Sequence, residues 1–152
     1  MIIGVISDTH GVLKQGALAA LRGVDHIIHA GDVGSPEVIS ALRLLAPVTA
    51  VRGNIDRGAW AWSLPVEEMV VLDGKTFYVL HDVNDLALEP ASTGIQVIVS
   101  GHTHQPLIKN AKDVLYFNPG SASQRRRGGP LSIGHIRISA QLVQPEIIHL
   151  DS

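Results

Sequence analysis

The chain of 152 residues contains no cysteine. That removes disulfides, thiolate metal sites, iron–sulfur clusters and a cysteine nucleophile together. A cytoplasmic location is permitted by it and is the expectation. Aromatic residues make up only 4%, too few for a base-stacking platform of the kind that binds single strands. Positive charge is not in excess: 12 Lys and Arg face 14 Asp and Glu, for a net charge of −2 and a pI of about 6.4. Surfaces that coat nucleic acid or anionic membrane are usually strongly basic, so those roles are disfavoured. No apolar run approaches the roughly 20 residues of a membrane span. The start, Met1-Ile2-Ile3-Gly4, lacks the basic segment and cleavage site of a secretory leader. Neither Gly-x-x-x-x-Gly-Lys-Ser/Thr nor Gly-x-Gly-x-x-Gly occurs, which argues against a nucleotide-binding module.

What is present is a 45% hydrophobic chain of mean hydropathy +0.22, as suits strands buried on both faces. No repeat or linker divides it, so residues 1–152 read as one domain. Ile2–Ser7 reads as a buried strand, Leu13–Leu21 as a short helix and Asp25–His29 as a second strand. Ser35-Pro36-Glu37 carries an N-cap serine, a proline at the first helical position and an acid in the first turn. Val38, Ile39, Leu42 and Leu45 follow at helical spacing until Pro47, and Val48–Val51 is a third strand. Farther on, Glu67–Leu72 and Lys75–Leu80 flank Asp73-Gly74, a hairpin signal. A short helix is expected near Asp85–Glu89, with strands at Ile95–Val99, Leu107–Lys109, Val114–Phe117, Ser132–Ile138 and Leu142–Leu150. A βαβαβ opening followed by mostly antiparallel strands predicts an α/β fold of two packed sheets with helices outside.

Polar residues gather just past these strands. Asp8-Thr9-His10 follows the first, Gly31-Asp32 the second and Gly53-Asn54-Ile55-Asp56 the third. His81-Asp82 follows the hairpin, and Gly101-His102-Thr103-His104 follows Ile95–Val99. Ligands of open α/β sheets bind at the carboxyl ends of strands, so these segments can converge on one site. Asp8 and His10 are two apart, as are His102 and His104, and on extended backbone such pairs point to one side. Imidazoles with carboxylate or amide oxygens suit Mn²⁺, Fe²⁺, Zn²⁺ or Ni²⁺. Glycines at 31, 53 and 101 let backbone turn tightly beside a ligand. Each segment alone is a weak signal; their joint occurrence in order is a strong one. His26 and His29 read as core or helper residues, and His135 and His149 as uninvolved. Arg125–Arg127 reads as an exposed face, with phosphate contact as its secondary reading.

Taken with Asn118-Pro119-Gly120-Ser121, these segments resemble the calcineurin-like metallophosphoesterases, and most closely their small phosphodiesterases, the YfcE/MJ0936-like group. The resemblance runs from Asp8 to Ser121. It implies a four-layer αββα sandwich and a site for two divalent metal ions, Mn²⁺ first, with Fe²⁺, Zn²⁺ and Ni²⁺ as alternatives. Asp8, His10 and His104 would hold one ion, Asn54, His81 and His102 the other, and Asp32 both. The implied activity is a phosphodiesterase in which a hydroxide activated by ions about 3.5–4 Å apart attacks phosphorus. Asp32 and Asn54 would act catalytically through the metals. Asp56, Asp82, Asn118 and Ser121 are read as supporting or substrate-binding residues, Asp56 by orienting the Gly53-Asn54 turn.

Two positions depart from relatives. Many larger members carry histidine where this chain has Ile55, which places hydrolysis of phosphomonoesters with poor leaving groups in doubt. Asp82 stands where relatives commonly have glycine, either as a partner of a ligating histidine or pointing to solvent. The expected substrate is a small phosphodiester, with nucleic acid left open as a source; no membrane partner is expected, and relatives suggest homo-oligomers. The alternative is a non-catalytic scaffold on the same fold, like the retromer subunit of this superfamily. Seven intact candidate ligands favour the enzyme.

Overall fold

The computed structural model describes residues 1–125 and 128–150. Among these residues ten strands form two five-stranded sheets that pack face to face. The first has the order β10(Leu142–Leu150), β9(Leu131–Ser139), β1(Ile2–Ile6), β2(His26–His29), β3(Val48–Ala50). The second has the order β4(Glu67–Leu72), β5(Lys75–Leu80), β6(Val97–Val99), β8(Val114–Asn118), β7(Leu107–Ala111).

Alternation along each strand builds the layers. Ile3 and Val5 of β1, with Ile28, Ile136 and Ile138, face Phe77, Val79, Val97, Val99, Leu115 and Phe117 across the sandwich. The other face of β1 and β2 presents Ile6 and Ile27 to Ala17 and Leu21 of α1(Gln15–Ala20) and its C-cap, and to Val38, Ile39 and Leu42 of α2(Pro36–Arg43). Such strands are covered on both sides, which is why they read as uninterrupted apolar runs. Each fully buried side chain of this kind contributes roughly 1.5–3 kcal/mol.

Three hairpins close through two-residue loops, at Asp73-Gly74, Lys112-Asp113 and Ala140-Gln141, all with positive φ at both positions. That is the type I′ turn, whose twist matches paired strands. Only Asp73-Gly74 has its usual residues.

Several expectations are corrected. Beyond residue 66 the pairing is mostly antiparallel, as expected, but the second sheet is mixed, because β5, β6 and β8 run parallel within it. The segment 81–96 makes the crossover between β5 and β6 without an α-helix. No helix forms at Asp85–Glu89; tight 3-10 turns at Val83–Asp85 and Pro90–Thr93 stand on either side. Pro90 disfavours helical backbone at Glu89, and the carboxylates of Asp82 and Glu89 cap those turns by accepting from Asn84 N–H and Ala91 N–H. These turns cover the outer face of the second sheet, where Val83, Leu86 and Leu88 pack on Tyr78, Leu80 and Ile98. The sequence reading also omits α3(Ala59–Trp62), a single turn entered from Gly58. The predicted Ile95–Val99 strand narrows to Val97–Val99, and Leu107–Lys109 extends to Ala111.

Candidate metal centre

The polar segments all leave the carboxyl ends of strands, from both sheets, and backbone hydrogen bonds stitch them together. Asp8 N–H donates to Gly31 O at 3.0 Å, His10 N–H to Asp32 O at 3.0 Å and Gly101 N–H to His81 O at 2.9 Å. Asp8, His10, Asp32, His102 and His104 all adopt left-handed backbone, with φ between 48° and 73°. Non-glycine residues rarely do so, and such strain gathers at functional sites. Gly53 and Gly101 are not at positive φ, so their role is not the tight turn expected of them. They are needed for close approach: a Cβ on Gly53 would lie 2.2 Å from Asp32 N, and one on Gly101 1.9 Å from Ser7 Oγ. Gly31, at φ 99°, does make the turn.

Five side-chain atoms converge. Asp8 Oδ1 lies 3.3 Å from His104 Nε2 and 3.9 Å from both His10 Nε2 and His81 Nε2. Asp32 Oδ2 lies 3.6 Å from His10 Nε2 and 3.2 Å from His81 Nε2. Asp8 Oδ1, His10 Nε2 and His81 Nε2 are buried without a hydrogen-bond partner. Orphaned buried groups of this kind are destabilising, by about 1–3 kcal/mol each, unless something fills the space between them. Asp8, His10 and His104 can close on one cation, and so can Asp8, Asp32 and His81. The donor set, imidazole nitrogen with carboxylate oxygen, suits a divalent transition metal.

The surroundings point these atoms inward. His81 Nδ1 donates to Ala30 O at 2.8 Å, which fixes its tautomer and leaves Nε2 with a lone pair toward the centre. Asp8 Oδ2 accepts from Ser7 Oγ at 2.7 Å and His102 N–H at 3.1 Å, leaving Oδ1 free. Asp32 Oδ1 accepts from Ile55 N–H at 3.0 Å. Burial pushes the Asp8 carboxyl up, against the Ser7 hydrogen bond and the imidazoles of His81 and His104. Burial also pushes Asp32 up, but the His81 ring, the Ile55 N–H and His10 outweigh it and hold Asp32 low. For His81, burial acts downward and the Asp32 carboxylate, Ala30 carbonyl and Asp8 together raise it.

Asn54 and His102 lie apart from this cluster. His102 has a 43% exposed side chain, with Nε2 3.7 Å from Asp82 Oδ2 and its ring edge-on to His81 at 5.1 Å. Asn54 is exposed and has no side-chain hydrogen bond among the described residues. Both line a cavity of 270 Å³ with Arg52, Val66, Glu67, His81, Asp82 and Asp85. Asp82 therefore touches a candidate ligand and the cavity at once.

The supporting residues are tied to backbone. Asp56 accepts from Gly53 N–H, Val33 N–H and Gly34 N–H, joining the loop after β2 to the loop after β3. Asn118 donates to Gly101 O and Thr103 Oγ1 and accepts from Gly120 N–H. Ser121 Oγ donates to Asp8 O at 3.0 Å. With their polar atoms so engaged, Asn118 and Ser121 brace the loops. Ser7, Thr9 and Ser123 go unremarked in the sequence reading. Ser123 Oγ also donates to Asp8 O, at 2.7 Å, and Thr9 Oγ1 donates to Val33 O. Small hydroxyl residues beside the motifs were the only signal for them. His29, fully buried, hydrogen-bonds Thr9 through Nε2 and accepts from Gly31 N–H at Nδ1. Arg125 donates to Gly129 O; Arg126 and Arg127 of the basic run lie outside the described residues.

The chain is similar to known proteins over most of its length. A probable metallophosphoesterase of Methanothermobacter thermautotrophicus is 35% identical over 97% of this chain and 92% of its own length. Phosphodiesterase MJ0936 of Methanocaldococcus jannaschii is 30% identical over 86% of this chain and 89% of its own. Among solved structures, an archaeal phosphodiesterase covers 97% of this chain and 100% of its own at 28% identity, with a TM-score of 0.78. Vps29 of Chaetomium thermophilum also reaches a TM-score of 0.78, over 99% of this chain and 96% of its own, but at 17% identity it shares the fold alone. No described helix is long and apolar enough to cross a membrane. The model of the calcineurin-like phosphoesterase superfamily domain matches residues 1–141, and the chain belongs to that family of phosphoester hydrolases.

Proposed function

We propose that this chain is a phosphodiesterase that works with two divalent cations, Mn²⁺ first among them, on a small phosphodiester. The observation that carries the reading is the convergence of Asp8 Oδ1, His10 Nε2 and His81 Nε2, buried and unpartnered, around Asp32. Asp8, His10 and His104 would hold one ion, and Asn54, His81 and His102 the other. Asp32 faces a histidine of each set, His10 and His81, and so would reach both. When bound, such ions supply an activated water and neutralise charge on the phosphoryl oxygens.

The chain's own residues do the positioning. The Ala30 carbonyl aims His81, and Ser7 with the His102 N–H holds Asp8. The hydroxyls of Ser7 and Thr9, beside the cluster, are engaged in hydrogen bonds and are not presented as nucleophiles, which leaves water to attack in this reading. Ile55, at the position next to Asn54, offers no proton to a departing alkoxide, which favours diesters with good leaving groups. A cytoplasmic setting, permitted by the cysteine-free composition, goes with this reading.

The test is hydrolysis of bis-p-nitrophenyl phosphate by metal-stripped protein with and without Mn²⁺. Turnover restored by Mn²⁺ is expected. Mn²⁺ bound without turnover would overturn the reading and put the protein-binding scaffold first.

A further inference from the structure

The cavity beside the centre carries an unbalanced charge. Glu67, Asp82 and Asp85 line it, and among the described residues Arg52 is the only Lys or Arg that does. Asp82 and Asp85 stand at either end of the tight turn Val83–Asp85, where residues three apart eclipse, so both carboxylates come to the same side. Glu67 is fixed by accepting the Tyr78 hydroxyl. Asp85 is exposed and has no side-chain partner among the described residues. Arg52 does not neutralise the group: its guanidinium lies over the Trp62 ring at 4.5 Å, and among the described residues it forms no ion pair with the three acids. His81, 6% exposed, and His102 line the same cavity and are candidate ligands, so the cavity adjoins the centre.

Carboxylates beside a site for a phosphate anion act as a filter. A substrate arm bearing a second phosphate or a carboxylate meets like charge, whereas an arm bearing an ammonium group meets opposite charge in a partly desolvated recess. We propose that this cavity receives the second ester arm of the substrate and that the arm is cationic, so the substrates are phosphodiesters of amino alcohols. The proposal rests on the phosphodiesterase reading and names the substrate class of that site. Water forms one new P–O bond, the bond to the leaving oxygen breaks, and the proton of water passes to the leaving group or to solvent.

Two p-nitrophenyl phosphodiesters isolate the charge: the choline ester and its neutral isostere, the 3,3-dimethylbutyl ester. With the Mn²⁺-loaded full chain, kcat/KM for the choline ester should exceed that of the isostere by about ten-fold at low salt, a gap that narrows as salt is added. Asp85→Asn and Glu67→Gln should each shrink the ratio. A readout without turnover is the amide spectrum of the Zn²⁺-loaded protein. Phosphorylcholine should shift Val83–Asp85 at concentrations where 3,3-dimethylbutyl phosphate does not. Equal kcat/KM for the two esters, or a ratio indifferent to both substitutions, overturns the cationic arm and leaves the phosphodiesterase standing. No turnover of either ester or of bis-p-nitrophenyl phosphate overturns both.

Discussion

Asp8 and His102 are joined by a single hydrogen bond, from His102 N–H to Asp8 Oδ2 at 3.1 Å, yet they belong to differently built halves of the centre. On one side Asp8, Asp32 and His81 are 0%, 3% and 6% exposed, and hydrogen bonds from Ser7, Ile55 and to Ala30 fix their directions. On the other, Asn54 and His102 stand on the wall of an open cavity, with acidic neighbours in place of a closed network. Left-handed backbone at Asp8, His10 and Asp32 costs on the order of 1–3 kcal/mol each and persists because the surrounding hydrogen bonds overdetermine it. The contrast separates two tasks. The buried half is held by the fold's own hydrogen bonds; the open half leaves room for a substrate.

Breaking the buried half should have the largest effect. Asp32→Asn should lower turnover by on the order of 10³-fold or more and strip both ions, because Asp32 faces His10 and His81 together. Asn54→Ala should lower turnover less and leave one ion in place, while His149→Ala should alter neither property. Elemental analysis beside a bis-p-nitrophenyl phosphate assay distinguishes these. Normal turnover in Asp32→Asn would remove the distinction between the halves.

The loops that carry the two halves meet at Asp56. Asp56→Ala would leave the N–H groups of Val33, Gly34 and Gly53 without their acceptor inside the protein. The expected loss is about 2–4 kcal/mol in urea denaturation of the metal-free protein. A loss below about 0.5 kcal/mol would mean that water replaces the carboxylate and that the loops are held elsewhere.

Much of this division was legible in the residues and much was not. Asp8, His10, Asp32, His81, His102 and His104 announce themselves as polar residues past apolar strands, and Asp73-Gly74 as a turn, because a period of two and a hairpin signature are local facts. Which ligands are buried is not local: it depends on two sheets bringing β1, β2 and β5 together. The mixed order of the second sheet and the left-handed backbone at five candidate ligands are likewise products of tertiary packing. Asp85–Glu89 has helix-forming residues and so predicts a helix, while Asp82 and Pro90 decide otherwise through capping and backbone restriction.

His29 gives a pH signature to the buried half. Full burial, with the charges of His81 and His10 acting the same way against Asp32, pushes its imidazole down to about 3 from an ordinary 6.5. The folded form thus holds His29 neutral where the unfolded chain would protonate it. Its contribution is complete above pH 6.5 and is lost as pH falls from there toward 3, at up to about 1.4 kcal/mol per unit. Denaturation of the metal-free protein across that window should show the slope, and His29→Gln should flatten it. An unchanged slope in His29→Gln would assign the acid sensitivity to other groups.

The smallest expected change lies in the open half, at Ile55. Its N–H holds Asp32 Oδ1, a backbone contact that survives substitution, while its side chain is 39% exposed. Ile55→His would therefore place an imidazole next to Asn54 without disturbing the buried ligands. A positioned general acid helps most where the leaving group is a poor one, so phosphomonoesters of simple alcohols should gain more than diesters of p-nitrophenol. The expected change in the monoester-to-diester ratio of kcat/KM is about three- to ten-fold, below the full effect of an evolved acid because no neighbour holds the new ring in place. A ratio that does not move would mean that the acidic wall, with Glu67, Asp82 and Asp85 facing a dianion, and not the missing proton donor, keeps monoesters out.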